Sequence, residues 1–284
     1  PPAAAPAGLP PIAGYQILNE LGRGGMGVVY LAVRDADGTR IALKTIIPTV
    51  EVKRSQVDRF LREADILRHL QHPHIVSCRD VGESCDCLYF AMDYVEGTDA
   101  AKLLKQHGPL PAPVAVRVVC QLLTALAYAH GKGYVHRDIK PANLLVALEG
   151  DKKAVKLADF GLARVYQESR MSGLTMQGDI GGTVAFMPPE QITQFRTVKP
   201  AADQYSAAAT LYMLLTGKYL FDFGATKAQP LTLVLQEEPV PLRRRRPELP
   251  EGLAAAVHRA LAKDPEARFP DVRSFRAALR PFAQ

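Results

Sequence analysis

The chain changes character once, near Gly97. Before that point it reads as short β-rich runs broken by turns, with one helix; after it, apolar residues recur at helical spacing. Strand runs followed by helix runs restrict the fold to α+β lobes, because a doubly wound parallel sheet would alternate the two. YQILNEL, VVYLAVR and RIALKTII carry the alternating or branched apolar residues of strands, and the D-G pair in DADGT predicts a hairpin turn, so these three runs form a meander. Phe60, Leu61, Ala64, Leu67 and Leu70 recur at three and four, which predicts a helix with one apolar face. HPHIVSCRDVGE and CDCLYFAMDYV predict two more strands. Helices are expected over 100–106, 113–131, 201–216, 253–262 and 272–279, with a hinge over 93–97.

Charge and cysteine usage narrow the classes of function. The formal net charge of +6 is modest for 284 residues, and Arg243 to Arg246 sit together beside prolines, which predicts a solvated loop. A nucleic-acid partner would call for a broader basic surface interleaved with aromatics, so none is expected. The four cysteines include no C-x-x-C pair and no histidines at metal spacing, which argues against zinc and fits a reduced, cytoplasmic compartment. No apolar run is expected to span a bilayer and no signal pattern opens the chain, so no membrane contact is expected from this segment. Residues 1–13 begin without methionine in PPAAAPAGLPP and are expected to be the end of a linker from something longer, with a single domain over 14–284.

The segment YVHRDIKPAN gathers groups suited to phosphoryl transfer. Asp138 can accept a proton from an attacking hydroxyl, Lys140 can hold a phosphoryl oxygen, and the amide oxygen of Asn143 can ligate a hard cation such as Mg²⁺. A lone aspartate beside Arg137 is more often a surface ion pair than a catalytic base, so its company matters. In LGRGGMGVVY, Gly22, Gly24 and Gly27 have G-x-G-x-x-G spacing, which lets backbone N–H groups approach phosphate oxygens. A dinucleotide-binding turn would be followed by a helix; here the strand run VVYLAV follows. Lys44, in IALK with Ala42 on the same face, needs a partner or an anion, and Glu63 on the helix is the candidate. Asp159 opens a DFG triplet sixteen residues after Asn143 and directly after the strand-like VKLA, where its carboxylate can hold Mg²⁺.

These motifs, in this order, resemble the catalytic domain of eukaryotic-type protein kinases from about Tyr15 to Leu279, most closely the bacterial serine/threonine kinases. The resemblance implies an α+β, two-lobed fold: a small antiparallel-sheet lobe with one main helix over about 14–95, and a larger, mostly helical lobe over about 96–284, with a nucleotide cleft between them. It implies ATP and Mg²⁺ as cofactors. Lys44 would hold the α and β phosphates with Glu63 orienting it, Asp138 and Lys140 would act at the acceptor, and Asn143 and Asp159 would hold the metal. The adenine site would comprise Leu21, Val29, Ala42 and Leu145, the Asp93 to Val95 backbone, Met92 as gatekeeper, and Asp99 near the ribose. Gly182, Thr183 and AFMPPE resemble the end of the activation segment, with Glu190 paired to Arg268 and Asp203 supporting the catalytic loop. Pro188 and the Gln204-Tyr205 pair depart from the family pattern without removing a catalytic group.

Lys140 with Thr183 implies a serine or threonine acceptor on a protein substrate. Relatives pair through the small lobe, which implies a homodimer for trans-autophosphorylation, and often carry a membrane span beyond this domain. Arg137 and Arg164 imply an anionic partner in the activation loop, for which Thr175 leads, Ser172 follows, and unmodified Asp179 is the rival. The alternative function is a pseudokinase scaffold. It would be signalled by loss of Lys44, Asp138, Asn143 or Asp159, and all four are present.

Overall fold

The computed structural model describes residues 12–24, 27–46, 57–58, 61–62, 66–84, 87–149, 152–160, 183–194, 197–223 and 230–284. These residues divide into two compact units, one up to residue 71 together with 76–96, the other comprising 72–75 and the chain from 97 onward. An antiparallel-sheet lobe and a mostly helical lobe are the two parts of the expected fold class.

In the first unit, β1 (Tyr15–Gly24), β2 (Gly27–Arg34), β3 (Arg40–Ile46), β4 (Cys78–Ser84) and β5 (Cys87–Asp93) form one antiparallel sheet in the order β1-β2-β3-β5-β4. The period of two in β2 explains its two faces. Val28, Tyr30 and Ala32 point to one side, where they pack with Ile17, Ile41, Leu43 and Ala91 in a buried cluster. Each fully buried Ile or Leu there contributes about 1.5–3 kcal/mol of transfer free energy. Ile12, assigned by composition to the linker, is also buried in this cluster, and its carbonyl accepts from Tyr15 N at 3.1 Å. The β2–β3 turn is closed by Asp37, whose Oδ1 accepts from Thr39 N at 3.0 Å.

The expected helix is partly visible: residues 57–58 and 61–62 are helical, and Ile66–His69 is a 3₁₀ turn. Glu63 lies outside the described residues, as do Gly161, Arg164, Ser172, Thr175, Asp179 and Gly182. One strand is shorter than the sequence suggests. HPHIVSCRDVGE becomes β4 only at Cys78, because His72 to Ile75 belong to the second unit, where Ile75 bridges Leu157.

The second unit is built on α1 (Ala100–His107), α2 (Ala112–Gly131), α3 (Pro189–Thr193), α4 (Ala201–Thr216), α5 (Pro230–Gln236), α6 (Leu242–Arg245), α7 (Glu251–Ala260) and α8 (Val272–Leu279). Two helix starts are capped by carboxylates: Asp99 accepts from Lys102 N at 2.8 Å and Asp271 from Ser274 N at 2.7 Å. Such caps contribute about 1 kcal/mol each. Among the described residues α2 is long and apolar enough to cross a bilayer by length and composition, which the sequence reading did not anticipate. It packs against α4, α8 and the strand Lys152–Leu157, burying Val116, Val119, Leu122, Leu123 and Leu126 inside the unit. In α4 every residue except Ala201 and Met213 is buried.

After Gly97 the sequence reading expected helices apart from the strand-like VKLA, but a whole second sheet interrupts them. Strands β6 (Gly97–Asp99), β7 (Leu144–Glu149) and β8 (Lys152–Leu157) pair antiparallel in that order. The run LLVAL is too short and too evenly apolar for its period to separate strand from helix. Gly97 has φ of 153°, and a Cβ there would meet Val146 O at 2.1 Å, so only glycine lets β6 approach β7.

The arginine run is also different from expectation. It forms the short helix α6, in which Arg245 pairs with Asp222 at 2.7 Å and lies over the Tyr212 ring, while Arg246 donates to Leu215 O at 2.6 Å. Leu242 and Leu249 are buried on either side, and they draw the intervening arginines onto the unit's surface.

Candidate active site

The candidate residues fall into two groups, one in each unit. In the first unit the sheet register brings four of them to one face. Val29 lies opposite Lys44, and Ala42 lies opposite Met92. Directly opposite residues of an antiparallel pair share a face, and Ala42 and Lys44 share one by their spacing. That face is the reverse of the one carrying the buried cluster. Lys44 is only 4% exposed, an expensive place for an ammonium group unless an opposite charge meets it. Leu21 falls at an irregularity in the β1–β2 register, beside Gly22.

The glycines themselves divide by role. Gly24 lies opposite Gly27 at the hairpin end, and Gly22 and Gly24 have open space where a Cβ would stand. Gly27 has φ of 127°, and a Cβ would meet Thr45 O at 2.0 Å. Its glycine is therefore required by the approach of β2 to β3, independently of any ligand. The Asp93 carboxylate pairs with Arg79, Nη2 to Oδ2 at 2.8 Å, and its N–H donates to Ser77 O at 3.0 Å. Val95 follows in irregular chain.

In the second unit the segment from Tyr134 to Asn143 is irregular chain ending in a 3₁₀ turn, so its order comes from side chains. Asn143 Nδ2 donates to the Asp138 carbonyl at 2.7 Å and to Asp138 Oδ2 at 3.0 Å. Lys140 Nζ pairs with Asp138 Oδ1 at 3.0 Å and reaches Thr183 Oγ1 at 3.3 Å. One carboxylate is thus held on both oxygens, and its lysine partner is tied to the segment that begins at Thr183. Asp99 and Leu145 are opposite one another across β6 and β7; the Asp99 side chain caps α1 and pairs with Lys102 at 3.1 Å.

His136 joins this segment to the one carrying Asp159. Its Nδ1 accepts from Asp138 N at 3.2 Å, so Nε2 carries the proton and donates to Ala158 O at 3.0 Å. Its ring meets Phe160 edge-on at 4.8 Å, and Ala158 N donates to Asn143 O at 2.9 Å. Asp138, Asn143 and the residue before Asp159 are therefore bonded into one cluster.

Beneath the cluster lies Asp203, on the first turn of α4 and fully buried. It accepts from His136 N at 2.8 Å, from Arg137 N at 2.9 Å and from His130 Nε2 at 2.7 Å. Burial opposes its ionisation. The His130 hydrogen bond, the His130 and His136 rings and the Arg137 N–H outweigh that cost and hold its carboxyl below the ordinary range. The arrangement supports backbone strain: Arg137 and Asp159 have φ of 68° and 57°. Left-handed backbone costs a residue with a Cβ roughly 1–2 kcal/mol.

A family model for the protein kinase domain matches residues 15–276. The chain belongs to the protein kinase domain family. The serine/threonine-protein kinase PknF of Mycobacterium tuberculosis is 38% identical over 270 residues, covering 94% of this chain and 56% of that protein. The chain thus spans about half the length of the curated relatives it matches. The crystal structure of the Mycobacterium tuberculosis PknI kinase domain matches with a TM-score of 0.75 at 31% identity, covering 99% of each chain. The structure of Rad53 in complex with AMP-PNP matches with a TM-score of 0.76 at 26% identity, covering 95% of this chain and 66% of that one.

Three residues of this kinase domain that sequence reasoning gave no role belong to the same hydrogen-bonded cluster: His130, His136 and Gln191. Gln191 Nε2 donates to Arg137 O at 2.7 Å across 54 residues of sequence. Two histidines six residues apart before an aspartate were the available signal for the first two.

Proposed function

We propose that this chain is an ATP- and Mg²⁺-dependent protein kinase that transfers the γ-phosphoryl group to serine or threonine hydroxyls of a protein substrate. The observation carrying this reading is the Asp138 carboxylate held by Asn143 and by Lys140, with Lys140 bonded to Thr183. In this reading Asp138 accepts the proton of the attacking hydroxyl and Lys140 holds charge near the transferring group. Lys44 holds the α and β phosphates with Glu63 as its partner, and Val29, Ala42, Met92 and Leu145 line the base. The hydrogen-bonding of Asn143 supports a metal there: Nδ2 is engaged by Asp138, which leaves the amide oxygen as a hard donor alongside the Asp159 carboxylate. When bound, the ion neutralises charge on the phosphate oxygens.

The AMP-PNP of the Rad53 complex and the names of the bacterial relatives support the cofactor and the acceptor class. Activation-loop autophosphorylation, with Thr175 ahead of Ser172 and Asp179 as the unmodified rival, belongs to the proposal, as do pairing of two copies and a cytoplasmic location. The test is incubation of the chain with ATP, Mg²⁺ and a degenerate peptide library, with phosphosites mapped by mass spectrometry. Phosphoserine and phosphothreonine are the expected products. Nucleotide binding without transfer would favour the pseudokinase scaffold.

A further inference from the structure

We propose that Gln191 is a positioning residue for phosphoryl transfer, holding the left-handed Arg137 in place and through it orienting Asp138. The inference rests on the kinase reading above. Arg137 is a residue with a Cβ at φ of 68°, a conformation that persists only where the surroundings over-determine it. Its two flanking peptides are fixed from opposite sides. Its N–H donates to Asp203 Oδ1 at 2.9 Å, and its carbonyl accepts from Gln191 Nε2 at 2.7 Å.

The second of these bonds bears directly on Asp138. The Arg137 carbonyl and the Asp138 N–H belong to one planar peptide, so fixing the oxygen also fixes the direction of the N–H. That N–H is held in turn by His136 Nδ1 at 3.2 Å. Gln191 and His136 thus grip the two ends of the peptide from which the Asp138 side chain springs. Gln191 itself is 2% exposed and sits on α3 next to Glu190, whose carboxylate Arg268 holds with two hydrogen bonds. The end of the segment running from Thr183 to Gln191 is therefore anchored at one residue and bonded to the catalytic loop by the next.

The test compares Gln191→Leu, and Gln191→Met should the first fail to fold, with the unsubstituted chain. On a serine- or threonine-containing peptide, kcat is expected to fall about tenfold to a hundredfold, as misplacement of a reacting group by up to an ångström does, while the KM for ATP stays within about twofold. Glycine adopts a left-handed φ without steric cost, so in an Arg137→Gly background the same substitution should cost several-fold less. An equal loss in both backgrounds, or a kcat within twofold of the unsubstituted chain, overturns the inference. Amide exchange gives a readout free of activity: Arg137 and Asp138 should exchange about tenfold faster in the variant while α4 is unchanged. Unchanged exchange at those two amides also overturns it. If the unsubstituted chain transfers no phosphate, the kinase reading fails, and the exchange comparison still decides whether Gln191 holds the loop.

Discussion

Arg268 holds Glu190 through two parallel hydrogen bonds, Nη1 to Oε1 at 2.7 Å and Nη2 to Oε2 at 2.9 Å. The same guanidinium donates to the carbonyls of Ala262, Ala201 and Lys263, and it lies over the Tyr205 ring. Few side chains in the second unit satisfy so many groups from separate segments. Arg268→Ala would leave a partly buried carboxylate and several carbonyls unpaired, and should destabilise the unit by about 3–5 kcal/mol. Urea denaturation followed by circular dichroism measures this, and a loss under 1 kcal/mol would contradict it.

Asp203 should make stability fall in acid. Its carboxyl is held below the ordinary value in the fold, so its contribution is complete above the unfolded value of about 4 and is lost as pH drops through the lower folded value. Asp203→Asn removes this dependence and sets an amide donor near the N–H groups of His136 and Arg137. A cost of about 3 kcal/mol at neutral pH is expected. Denaturant midpoints compared between pH 5 and pH 3 should fall less steeply for the variant than for the unsubstituted chain.

Asp138→Asn and Lys44→Met should each lower transfer to peptide by about a hundredfold or more with little change in thermal midpoint. Asparagine keeps the shape of Asp138 but cannot take a proton from the acceptor. Radiolabelled phosphate incorporation, read beside a melting curve, separates loss of chemistry from loss of fold. Near-normal turnover by either variant would count against the assigned roles.

Thr183→Val should reduce kcat on serine and threonine peptides by about tenfold, because Lys140 Nζ loses the hydroxyl it meets at 3.3 Å. The substitution keeps the side-chain shape. Kinetics on matched serine and tyrosine peptides check both this loss and the acceptor class.

The meander β1–β3, α4 and α8 were legible because their pattern is set by one buried face or, for α4, by the run of apolar and small residues from Tyr205 onward. Strand β7 was hidden in a short apolar run while the end of β8 read as strand-like, and His72 to Ile75 resembled strand although Ile75 bridges Leu157 in the second unit. In the candidate site, Asp138, Asn143 and Lys140 were readable from their motif, and Asp203 only from the family resemblance. The roles of His130 and Gln191 were not readable, since their hydrogen bonds reach across 73 and 54 residues of sequence. A polar side chain that is buried only by tertiary packing looks, in a sequence, like any surface residue.

The arginine run has a consequence for how the protein meets polyanions. Arg245 and Arg246 are engaged by Asp222, the Tyr212 ring, Glu248 and the Leu215 carbonyl, Arg243 pairs with Glu251 at 3.8 Å, and Arg244 is exposed. A heparin-like chain using all four cations would have to draw three of them away from these partners. The number of counterions released on contact should therefore fall short of four, giving a shallower dependence on salt than four adjacent charges would suggest.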